Sequence, residues 1–168
     1  MFIDETGATT KMARLRGWAK RGKRCHSSVP HGHWKTTTFV AGLRLDGLTA
    51  PMVLDGPMTG GAFLAYVVQN LAPTLTAINT VVMDNLAAHH VAGVREAIEA
   101  TGAHLLYLPP YSPDFNPIEN AFSKLKSILR KAAARTISAL WRVIGDAIPK
   151  FIPTECANYF TAAGYEPD

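Results

Sequence analysis

The chain alternates between strand-like and helix-like spacing of its apolar residues. Phe2-Ile3-Asp4 is a short apolar strand that continues through Thr6. The run Thr36-Thr37-Thr38-Phe39-Val40-Ala41-Gly42-Leu43 is β-branched and apolar. Asp46-Gly47 then marks a tight turn into a partner strand, Leu48 to Leu54. After Gly60-Gly61 the period changes: Phe63, Leu64, Val67, Val68 and Leu71 fall at helical spacing, and Pro73 stops the helix. Ile78 to Met83, apolar without a break from Val81, is expected to be a buried strand, and it ends on a carboxylate, Asp84. A helix is predicted from His89 to Ala100, with Val91, Val94 and Ile98 inward and Gly102 closing it. His104 to Leu108 predicts a strand halted by Pro109-Pro110, and helices follow over 117–134, 138–151 and 154–163.

An antiparallel meander followed by βαβ units implies an α/β fold, a mixed five-stranded sheet with helices packed on it. At 168 residues the chain suits one domain, 1–168, with no internal repeat or linker. No apolar run is long enough to span a bilayer, and no signal-peptide pattern is present. Cys25 and Cys156 give no disulfide framework and fit a reducing cytoplasm.

The net charge is only +4, but its distribution is uneven. Residues 11–35 carry eight Lys or Arg, among them Lys20, Arg21, Lys23 and Arg24, and no acid. Seven more, including Lys126 and Arg130, fall between Lys124 and Lys150. Basic blocks of this kind suggest a polyanionic partner, ordinary solvated surface being the alternative. Cys25, His26, His31 and His33 match no common four-ligand zinc spacing.

Three carboxylates are the candidate chemistry. Asp84 sits at the tip of a buried strand, and Asp4 lies in the first apolar run. Glu119 comes back after 34 intervening residues that hold a helix, a strand and a proline-rich loop. Three acids at the ends of different elements suit hard divalent cations. Each also has a plainer reading. Asn116-Pro117-Ile118-Glu119 is a helix start in which Glu119 closes a capping box, and Asp84 can be a turn former. On the helical wheel Ile118, Phe122, Leu125, Leu129 and Ala132 form the buried stripe, while Glu119, Ser123, Lys126 and Arg130 form a second one. Asn85 follows Asp84. His89 can orient a nucleophile, contact a phosphate or bind Asp84, or be an ordinary first-turn residue. Glu5 points to the strand face opposite Asp4, for a structural or solvent role.

FIDETG, HGHWKTTTF, VVMDN followed by His89, and LPPYSPDFNPIENAFSKLK together closely resemble bacterial insertion-sequence transposases of the insertion-sequence-630 group, relatives of the mariner elements. The resemblance covers nearly the whole chain, and PPYSPDFNPIEN is its most specific part. It implies a ribonuclease-H-like fold and a catalytic and metal-binding triad of Asp4, Asp84 and Glu119, beside which Asn85, His89 and Asn116 are expected to be supporting residues. It also implies two Mg²⁺ (or Mn²⁺) ions and DNA as substrate, both transposon ends and target, handled by a homodimer in the nucleoid. Such transposases carry a helix-turn-helix domain before the catalytic part. None is found in this sequence, which predicts charge-driven DNA binding with little sequence preference and a separately encoded helix-turn-helix protein or a truncated start.

Overall fold

A computed structural model describes residues 1–31 and 33–166. The meander is β1 (Phe2–Thr9), β2 (Thr36–Arg44) and β3 (Gly47–Asp55), and helix α1 (Gly60–Tyr66) follows. Then come β4 (Thr80–Met83), α2 (Val94–Glu99) and β5 (His104–Tyr107), and helices α3 (Ile118–Ala132), α4 (Ile137–Ala147) and α5 (Pro153–Ala162). The strands lie in the order β3-β2-β1-β4-β5. β1 is central, antiparallel to β2 and parallel to β4, so the sheet is mixed and five-stranded as the sequence predicts.

The register of β1 places the site. Ile3 pairs with Met83, the last residue of β4, so Asp4, still within β1, and Asp84, just past β4, follow this pair on neighbouring strands. β1 runs past Thr6 to Thr9 because Gly7, Ala8 and Thr9 find Thr38, Thr37 and Thr36 opposite them. β4 is shorter than the strand expected from the sequence. Ile78 is exposed, and Asn79 forms a turn in which its side-chain oxygen accepts from the Thr76 N–H at 2.9 Å.

Alternation along the strands feeds two cores. Phe2, Phe39 and Leu43 pack under α3, α4 and α5, against Ile118, Phe122, Leu125, Leu129 and Ile144. Ile3, Val40, Val81 and Met83 face the other way, against Phe63 and Tyr66 of α1 and Val94 and Ile98 of α2. Each of these larger side chains contributes about 1.5–3 kcal/mol on burial, enough to fix both layers. Phe39 meets Phe122 edge-on at 6.1 Å, which ties β2 to α3.

Several elements differ in detail from the sequence pattern. α1 gives way to a π-helical turn, Val67–Leu71, so Val68 is exposed and Tyr66 is buried instead. The predicted His89–Ala100 helix is broken. Ala87–His90 is a 3₁₀ turn, and α2 begins only after Gly93, whose φ of +95° suits glycine. On α3 the inward stripe is Ile118, Ala121, Phe122, Leu125 and Leu129, while Ala132 in the last turn is exposed. α4 stops at Ala147 and a 3₁₀ turn holding Pro149 follows, since proline lacks the donor that would extend the helix. In β3, Ala50 and Pro51 together stand opposite Ala41, a bulge between the pairs Gly42–Thr49 and Val40–Met52. No helix among the described residues is long and apolar enough to cross a membrane.

Candidate active site

A cleft of about 290 Å³ opens beside Asp4 of β1 and the C-terminal end of β4. Asp4, Asp84, Asn85, Asn116 and Glu119 line it together with the proline-rich loop 108–113. The fold thus gathers the three acids the sequence singled out, although they are separated by up to 115 residues (119 − 4). They are not drawn tight: among the described residues, no three His, Cys, Asp or Glu side chains are grouped closely enough to hold a metal ion as they stand.

Each acid is held differently. Asp4 projects from the middle of the sheet and is 5% exposed. Its Oδ1 accepts the Glu5 N–H at 2.7 Å and its Oδ2 the Asn116 Nδ2–H at 2.8 Å. Burial pushes the Asp4 carboxyl up to about 7, the Glu5 N–H works against that rise, and the charges of Asp84, Glu5 and Glu119 add to it. Asp84 lies just past the end of β4, half-buried. Its Oδ1 accepts from Leu86 N–H at 3.1 Å and faces His89 Nδ1 at 2.6 Å. Burial alone would raise this carboxyl, but the hydrogen bond and charge of His89 outweigh it and hold Asp84 below the ordinary carboxylate range. Glu119 is exposed in the first turn of α3.

The plainer reading of Glu119 is not realised. Asn116 does not cap α3 with its side chain, which turns to Asp4 instead, so no capping box forms. Asn116 Oδ1 is left buried without a hydrogen-bond partner among the described residues. The Asp84 turn-former reading holds in part, through Leu86, beside the contact to His89. His89 is not an ordinary helix residue: it is fully buried, with Nε2 at 2.9 Å from Glu5 Oε2. Burial opposes charge on the ring, but the Asp84 and Glu5 carboxylates outweigh it and push its pKa up to about 10. Both ring nitrogens therefore donate, as only the imidazolium can. Glu5 is the residue that sequence reasoning left aside. Its one signal was position, next to Asp4 and on the face where His89 arrives. Asn85 Oδ1 accepts from His90 Nε2–H, and His90 stacks on Tyr107 at 4.1 Å.

Oxygen donors dominate the cleft: three carboxylates and the unpartnered Asn116 Oδ1. Such a set fits hard divalent cations such as Mg²⁺ or Mn²⁺ better than zinc. The sequence model of the DDE superfamily endonucleases matches residues 1–141. This chain is a DDE superfamily endonuclease. No curated protein sequence matches it.

Among solved structures, the endonuclease chain is similar to the Mos1 mariner paired end complex with Mn. There the TM-score is 0.77 at 15% identity, covering 96% of this chain and 50% of that one. It is also similar to the Mos1 strand transfer complex, with TM-score 0.66, 15% identity, and 96% and 50% of the two chains covered. The Mos1 transposase catalytic domain with raltegravir and Mg gives 0.60 at 12% identity, covering 99% and 84%. At these identities the likeness is one of fold, a ribonuclease-H-like core. The chain spans about half the length of the Mos1 chain in the paired end complex.

The two basic blocks of this DDE endonuclease sit in different places. Lys20, Arg21, Lys23 and Arg24 are exposed in the irregular connection between β1 and β2. That connection leaves β1 after Thr9, five residues beyond Asp4, roughly 17 Å further along at about 3.3 Å per residue. Its base is pinned by Arg135, whose guanidinium donates to the carbonyls of Thr10 and Met12 at 3.1 and 2.8 Å. Lys126 and Arg130 are partly exposed along α3, below Glu119. Lys124, by contrast, is spent on structure: it bonds the Lys150 carbonyl and Glu155, joining α3 to α5.

Proposed function

We propose that this chain is the single catalytic domain, 1–168, of a metal-dependent DNA transposase of the insertion-sequence-630 and mariner-related group. It cleaves DNA at transposon ends and joins the 3′-hydroxyl to target DNA. The observation that carries this reading is the meeting of Asp4, Asp84 and Glu119 in one cleft of a ribonuclease-H-like fold. The Mn, Mg and DNA-complex forms of Mos1 support it as analogy.

Asp4, Asp84 and Glu119 would hold the divalent ions, with Asn116 Oδ1 as a further oxygen donor. Two such ions, when bound, supply a nucleophilic water near neutral pH and neutralise charge on the transferring phosphoryl group. The protein's own part is positioning. Asp4 rests on the central strand and Asn116 fixes one of its oxygens. His89 and Leu86 fix one oxygen of Asp84. Glu119, exposed at the top of α3, is free to approach. Lys20, Arg21, Lys23, Arg24, Lys126 and Arg130 bind the DNA backbone by charge. Two ends must be joined, so the working form is a homodimer on DNA.

The test is a cleavage assay on a duplex carrying the element's terminal repeats, with Mg²⁺ or Mn²⁺, beside an RNA–DNA hybrid. Strand cleavage of the DNA end is expected, lost with chelator and reduced to background in Glu119→Ala. Cleavage that survives the substitution removes the triad. Preference for the hybrid points instead to a nuclease of the same fold.

A further inference from the structure

Asp4 and Asp84 are supported unequally. Asp4 lies within β1 and is paired with Ala41 of β2, whereas Asp84 follows the last residue of β4 and has no ladder to hold it. Its direction depends on side-chain contacts, and the nearest is His89 Nδ1 at 2.6 Å. The His89 ring has little freedom. It is fully buried, lies against Phe63 at 4.3 Å between centroids, and its backbone carbonyl accepts the Tyr107 hydroxyl at 3.0 Å. Its far nitrogen, Nε2, meets Glu5 Oε2 at 2.9 Å. Glu5 comes from the strand residue next to Asp4 but from the opposite face of the sheet. A chain of contacts therefore passes under the sheet from Glu5 through His89 to Asp84, and no hydrogen bond among the described residues uses Asp84 Oδ2.

We infer that Glu5 is a positioning residue: through His89 it holds the Asp84 carboxylate so that one oxygen is tied back and the other faces the cleft. This rests on the metal-binding reading of that cleft. Glu5 touches no reacting atom. Its effect reaches the site only by way of Asp84, as partners of metal ligands commonly act, at a cost of about 10- to 100-fold in affinity or activity when removed.

Mn²⁺ titration by calorimetry on the full chain separates the possibilities, with folding followed by circular dichroism. Glu5→Ala is expected to weaken Mn²⁺ binding by about 10- to 100-fold. Glu5→Gln, whose amide oxygen still accepts from Nε2–H, is expected to keep most of it. Where Glu5→Ala does not fold, Glu5→Asp withdraws the oxygen by one methylene while keeping the charge, with a loss in the same direction. In an Asp84→Asn background the Glu5 substitutions should cost nothing more, because the path they act through is gone. A folded Glu5→Ala or Glu5→Asp protein with wild-type affinity, or the same loss in both backgrounds, overturns the inference. Wild-type protein that binds no Mn²⁺, or binds it no better than Asp84→Asn, overturns the metal reading itself, and the inference with it.

Discussion

Asp4 shows what it costs to hold a carboxyl inside the sheet. Its pKa is driven up to about 7, above the ordinary 3.8, first by burial and then by the neighbouring acids. The folded state thus disfavours its charge. Stability contributed at low pH is lost as pH rises from about 3.8, and the loss is complete above about 7. Asp4→Asn should therefore stabilise the metal-free protein, by at most about 4 kcal/mol. The gain should be larger at about pH 8 than at about pH 5, read from urea denaturation, while cleavage is abolished. A gain that shrinks toward pH 8 contradicts this picture. Asp4, Asp84 and Glu119 were all legible in the sequence, because each stands where an apolar pattern stops or turns. Glu5 was not. Alternation gave its face correctly, but nothing in one dimension shows that a histidine 84 residues later would be waiting there.

Among the elements, α3 carries the third acid at its start and needs a firm end. That end is Ala133, which sits at φ +51° in the left-handed region. For a residue with a Cβ this costs about 1 kcal/mol, and glycine avoids it. Ala133→Gly should stabilise the protein by about 0.5–1 kcal/mol, seen as a higher urea midpoint, with DNA cleavage unchanged. Most elements followed from their spacing: the three-strand meander, β4, β5 and the amphipathic α3. The misread one is the stretch after Asp84. Its apolar residues keep helical spacing, yet burying His89 between two acids, with Gly93 left-handed, costs the helix its first turn. A local pattern lost to a long-range contact that the pattern cannot contain.

For the whole molecule, charge is separated in space: acids converge in the cleft while cations occupy the β1–β2 connection and α3. If the connection contacts phosphates, replacing Lys20, Arg21, Lys23 and Arg24 with Ala should lower the slope of log K against log salt by about 3–4. Filter binding or anisotropy on a non-specific duplex measures it, and an unchanged slope would assign those residues to bare surface. The layered architecture was readable from the order of strand and helix periods. The convergence of the acids was only implied, because it depends on β1 entering the sheet centre in the register Ile3 to Met83.

One feature of β3 reaches beyond the single molecule. As an edge strand it offers free backbone groups that another chain could extend, a hazard for any protein crowded side by side. Pro51 has no N–H to give, and with Ala50 at φ +46° it kinks the strand where the pairing skips a residue. A foreign strand zipping along that rim would lose its partner halfway, which blunts this edge against pairing with a neighbouring copy.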